Sequence, residues 1–89
     1  MQVIIFGERG AFKHLNGRTV KAAEVNTSFF VVKADGQTID VPLKNALIVN
    51  FHALYTKAQE EINENNIVWI DFYRALKAWA DIHAVTVIF

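Results

Sequence analysis

Arg9, Lys13, Arg18 and Lys21 lie in a stretch, residues 9–21, that contains no acid, and His14 can add to its charge. A strip of this kind can neutralise phosphates, and Phe29 nearby supplies an aromatic surface of the sort on which single-strand binders stack bases. The plainer reading is that four cations around two turns only keep those turns in water. A formal net charge of zero, from nine basic and nine acidic residues, favours the plainer reading. The three histidines, His14, His52 and His83, lie on different elements without the i, i+4 spacing that two helical metal ligands need. No metal or cofactor is therefore expected. His83 reads as the end of a helix, where a cation suits the negative dipole end. Glu60, Glu61 and Glu64 fall on the polar side of a surface helix, too well solvated for paired acid and base work. GERG lacks the glycine spacing and the Lys-Ser or Lys-Thr of a phosphate loop, and no Ser-His-Asp signature is present. An enzyme is not expected, and function should reside on surfaces.

Composition narrows where such surfaces lie. Eighty-nine residues make one domain, which buries only roughly 60–65 % of its unfolded surface. Yet 53 % of residues are apolar and mean hydropathy is +0.20, so some apolar surface is left for self-association or a protein partner. Cysteine is absent, which excludes disulfides, thiolate nucleophiles and Cys-ligated zinc. The start MQVIIFGERG has no basic region and too short an apolar run for a signal peptide, and nowhere do eighteen apolar residues follow one another. These features read as a cytoplasmic protein with no membrane contact.

The elements that must position these residues follow from periodicity. MQVIIF reads as a strand closed by GERG, AFKHL leads to an Asn16-Gly17 turn, and TVKAAEV alternates with period two until Asn26-Thr27. SFFVVKA then reaches Asp35-Gly36, the strongest hairpin signal in the chain. A two-residue loop there sets Ala34 against Gln37, Val32 against Ile39, Phe30 against Val41 and Val31 against Asp40. Phe30 and Val32 then face the core, while Phe29 and Val31 share a second face with Asp40 and Pro42. ALIV gives one more strand.

Asn50 reads as the N-cap of a helix with Phe51, Leu54, Tyr55, Ala58 and Ile62 on one stripe, stopped by ENENN. IVWI reads as either a buried strand or a helix's first turn, and Asp71 is favoured as the cap of the next helix. Phe72, Leu76, Trp79 and His83 or Ile82 then lie inward, and Trp69, Trp79 and Tyr73 read as core packing. AVTVIF closes the chain as a terminal strand, whose partner would be QVIIF or a strand of another copy.

The run LNGRTVKAAEVNTSFFVVKADGQTIDVPLKNALIV, residues 15–49, resembles the core of the Sm-like fold, nearest to the bacterial RNA chaperone Hfq. The likeness rests on Asn16-Gly17 in the first turn, Phe30-Val31-Val32 in the third strand, and Lys44 and Ala46 after the last hairpin. The resemblance implies a bent five-stranded sheet that forms rings by strand pairing and holds uridine-rich RNA. It implies that Phe30 stacks a base and Lys44 meets its edge or phosphate. Phe29 and Asn45 stand where the family has glutamine and histidine, and Ala22 replaces the glycine that bends its second strand.

The reading is an α+β domain spanning 1–89: 1–50 mostly β, 51–83 mostly helical and 84–89 a terminal strand. A small bent antiparallel sheet of the SH3/Sm-like barrel kind packs against a C-terminal helical pair. Two functions are carried forward. One is a small protein-binding module, regulatory or inhibitory in the manner of phage proteins, acting through Phe29, Val31 and Phe89 and self-associating. The other is an Sm-like RNA or single-strand binder using Arg9, Lys13, Arg18, Lys21, Phe29, Phe30, Lys44 and Asn45.

Overall fold

The computed structural model describes residues 1–87. The alternating segments become five strands, β1 Gln2–Ile5, β2 Thr19–Val25, β3 Phe29–Ala34, β4 Gln37–Pro42 and β5 Ala46–Ile48. Helices α1, Phe51–Asn63, and α2, Ile70–Ile82, follow. Every strand pairing is antiparallel, and the order across the sheet is β4-β3-β2-β1-β5. The last strand thus returns beside the first. β4 and β5 remain the two edges, so the sheet is open and the domain is α+β.

The β3–β4 hairpin carries the expected register, with Phe30 opposite Val41, Val31 opposite Asp40, Val32 opposite Ile39 and Ala34 opposite Gln37. Its loop is Asp35-Gly36, with φ of 53° and 76°. Positive φ at both central residues is what a type I′ turn requires, and its twist matches that of the strands. Once the register is fixed, side chains two apart share a face. Phe30, Val32 and Val41 are accordingly fully buried, with Val3 and Ile5 from β1 beside them. On β2 the register slips between Ala22 and Glu24, so Ala23 is an extra residue opposite β3. Such a bulge bends a strand and adds twist, here at a position without glycine.

One helical residue fastens the helices to this sheet. Trp79 is 4 % exposed, and its indole N–H donates to the Ala46 carbonyl at 2.6 Å. Phe51 and His83 pack on the indole with ring centroids 4.8 and 4.5 Å away. The His83 ring nitrogen Nε2 lies 2.8 Å from the Leu43 carbonyl, which ties the end of α2 to the 3₁₀ turn Leu43–Asn45. Phe51, Tyr55, Ala58, Leu76 and Ala80 complete the helical side of the core. Tyr55 and Tyr73 stack between α1 and α2, hydroxyls 3.0 Å apart, and burial raises the Tyr55 phenol well above its usual range.

Both helices end alike. Past α1, Asn65 takes φ 64°, its N–H donates to the Ile62 carbonyl, and the Asn66 N–H donates to that of Glu61. Past α2, Ala84 takes φ 53°, and Ala84 and Val85 donate to the Asp81 and Ala80 carbonyls. This is the Schellman arrangement, which normally puts glycine in the left-handed position. Asparagine tolerates that conformation; alanine meets a steric penalty.

Three expectations are corrected, and one left open is decided: IVWI is not a strand but the helical alternative, since Ile67–Trp69 form a 3₁₀ turn that runs straight into α2 at Ile70. Asp71 is therefore an exposed first-turn residue, 3.8 Å from Arg74, and not the cap. Asn50 does precede α1, but at φ 59° its side chain makes no capping bond, and only its carbonyl accepts the Leu54 N–H. Residues 84–87 are not a strand, because β1 is already paired on both sides by β2 and β5. The rest of the expected terminal strand, residues 88 and 89, lies outside the described residues.

Two substitutions test this account. Phe30→Ala should lower the unfolding free energy by about 3–5 kcal/mol, as truncation of a fully buried aromatic does, measured by urea denaturation. Ala84→Gly should raise it by about 1 kcal/mol, since glycine adopts the left-handed cap without strain. No gain from glycine would mean that α2 does not end at Ala84 in solution.

Candidate interaction surfaces

The basic strip does not act as one unit. Arg18 Nη1 donates to both carboxylate oxygens of Asp35 at 3.0 and 2.9 Å, and His14 Nε2 lies 3.3 Å from the same carboxylate. The tip of the β3–β4 hairpin is thereby clipped to the β1–β2 connection. The Arg18 hydrogen bond, followed by its charge and then by His14, holds the Asp35 carboxyl below its ordinary value. Arg18 is thus partly neutralised, and the strip loses its centre. Lys13 and Lys21 are exposed on separate elements, the 3₁₀ segment Gly10–Leu15 and β2.

Phe30 cannot take the stacking role assigned to it. Its side chain has no exposure at all, because the hairpin register turns it into the core. Phe29 and Val31 do face the other side of the sheet with Asp40 and Pro42, each half-buried. Phe89, the third residue expected at a protein interface, lies outside the described residues.

Arg9, Lys44 and Asn45, distant in sequence, come together. With Gly7, Glu8 and Pro42 they line a groove of about 660 Å³. One wall is the loop after β1, which Asn16 holds from both sides: its Oδ1 accepts the Glu8 N–H at 2.9 Å, and its Nδ2 donates to the Glu8 carbonyl at 3.0 Å. Gly7 sits at φ 72°, a left-handed conformation that favours glycine, and a Cβ there would stand 3.0 Å from Asn45 Oδ1, so a larger residue would also require the Asn45 side chain to shift. The other wall is the Leu43–Asn45 turn, fixed by the Phe6 N–H to the Asn45 carbonyl and by His83.

A second surface is apolar, and sequence reasoning missed it. Ile67 and Val68 are 72 % and 78 % exposed, and Val68 joins Met1, Leu54, Trp69 and Phe72 around a groove of about 410 Å³. The signal was present in IVWI, a run of apolar residues with no polar face, which amphipathic packing cannot wholly bury. Among the described residues no group of three or more His, Asp or Glu side chains could hold a metal ion. Glu61 pairs with Lys57 at 2.8 Å and accepts from Asn66 at 2.8 Å, bonds that lower its carboxyl; it is committed to the surface of α1. No helix among the described residues is long and apolar enough to cross a membrane.

No family model, curated protein or solved structure matches the chain.

The clip at the hairpin tip has a defined pH dependence. A carboxyl held low in the folded state contributes stability above its ordinary value of 3.8, and the contribution is lost as pH falls through the lowered value. In Arg18→Ala the Asp35 carboxyl should titrate nearer 3.8, followed by carboxyl carbon shifts in NMR. An unchanged titration would show that the pair does not form in solution.

Proposed function

We propose that the chain is a small non-enzymatic protein-binding module, regulatory or inhibitory in kind, that takes its partner on the apolar surface at the start of α2. One observation carries this reading: Ile67 and Val68 are adjacent, largely solvent-exposed and set beside an apolar groove. Covering a side chain of that size contributes about 1.5–3 kcal/mol, so the pair with Trp69 and Phe72 is the natural anchor. Phe29 and Val31 form a lesser apolar stretch on the outer sheet face. The compact single domain suits the small inhibitory proteins that phages make.

A photo-crosslinking residue at position 68 should give a discrete adduct in cells, whereas the same residue at position 38, exposed on β4, should not. Sedimentation at rising concentration decides whether the adduct is a second copy. Ile67→Asp with Val68→Asp should abolish association and leave the fold intact by circular dichroism. Adducts at 38 and none at 68 would move the interface and end this reading.

The second reading, an Sm-like nucleic-acid binder, is favoured by the strand order, in which β5 returns beside β1 after a 3₁₀ turn, as in an SH3/Sm-like barrel. Against it stand the burial of Phe30, the pairing of Arg18 with Asp35, and Trp79 on the Ala46 carbonyl at the edge where a ring neighbour's strand would pair. A salt titration with an oligouridine separates the readings. On the protein-binding reading little binding is expected even at low salt. A steep salt slope flattened by Arg18→Ala with Lys21→Ala would reverse the ranking.

A further inference from the structure

The groove between the loop after β1 and the Leu43–Asn45 turn holds two cations, Arg9 and Lys44, that enter no ion pair among the described residues. Beside them is an acceptor without a donor: Glu8 Oε1 is shielded from solvent and makes no hydrogen bond, so a ligand meets it only where the partly exposed side chain turns outward. Both walls are fixed before any ligand arrives, by the two Asn16 bonds on one side and by Phe6 and His83 on the other. Preorganisation of this kind reduces the ordering cost of binding.

The chemistry selects among anionic ligands. Single-strand binders combine a basic groove with aromatic side chains on which bases stack, and the residues lining this groove, Gly7, Glu8, Arg9, Pro42, Lys44 and Asn45, include none. An extended peptide presents a backbone N–H at every residue, so one can meet Glu8 Oε1 once that side chain turns outward, while a neighbouring acidic side chain lies between Arg9 and Lys44. Asn45 can accept from or donate to the same backbone. About 660 Å³ is far more than a single amino acid fills and suits a few residues of chain.

We propose that this groove binds an acidic peptide segment, with Arg9 and Lys44 taking its carboxylates and Glu8 accepting a backbone N–H. The inference rests on the protein-binding reading and adds a second, polar contact remote in sequence from Ile67 and Val68.

The test is an amide chemical-shift titration with a capped peptide, Gly-Asp-Gly-Asp-Gly, its Asn counterpart and an oligouridine. The acidic peptide should shift the amides of residues 7–9, 44 and 45 saturably, and the Asn counterpart should bind about tenfold more weakly. Raising salt from about 50 to about 300 mM should weaken binding several-fold. Arg9→Ala with Lys44→Ala should abolish it. Glu8→Ala supplies the sign test: simple charge attraction predicts tighter binding when an acid is removed, whereas loss of the N–H acceptor predicts a several-fold loss. Tighter binding in Glu8→Ala, absence of saturable shifts, or tighter binding of oligouridine at the same amides would each overturn the proposal. A crosslink at position 68 without peptide binding in the groove would leave the module reading standing and this inference refuted.

Discussion

The hydrogen bond from the Trp79 indole to the Ala46 carbonyl is the constraint on which the rest of the molecule depends. Successive carbonyls of a strand point to opposite sides. That of Asn45 turns toward Phe6 and β1, so that of Ala46 faces the outer edge of the sheet. An open edge is a row of unpaired backbone groups, and here a side chain of α2 occupies one of them. The same indole is walled by Phe51 at the start of α1 and by His83 at the end of α2. Five short strands with an open edge make a thin core, and this aromatic cluster extends it into the helices.

That anchoring also explains why apolar surface remains. Trp79 ties down the C-terminal end of α2, whereas Val68 stands at the other end, about 16 Å away along the helix axis at 1.5 Å per residue. Asn65 and Asn66 close α1 and swing the chain back, and the 3₁₀ turn Ile67–Trp69 is what bridges the two helices. Trp69 and Phe72 reach inward and pack edge to face at 5.6 Å. Ile67 and Val68 have no layer above them to bury them.

On the opposite side of the chemistry, polar contacts shape the two remaining surfaces. Asn16 fixes the loop after β1, and Asp35 draws Arg18 and His14 to the hairpin tip. The consequence is a redistribution of charge. Arg18 is spent on a structural pair, while Arg9 is left beside Lys44 in a preformed groove.

Much of this was legible in the chain. Asp35-Gly36 determined the hairpin, because only residues that accept positive φ make a two-residue turn of the required twist, and alternation then decided that Phe30 and Val32 face inward. The inward stripe of α1 and the stop at ENENN were likewise local in origin. The sequence could not say whether IVWI was strand or helix, since a short apolar run suits both; the tertiary structure runs it as a 3₁₀ turn from the end of α1 straight into α2. It could not pair Arg18 with Asp35 or set Arg9 beside Lys44, because those approaches depend on the order in which strands lie in the sheet. Local sterics are written residue by residue. Which distant side chains meet, and so which charges and apolar groups stay free to bind, was decided only when the sheet and helices closed on one core.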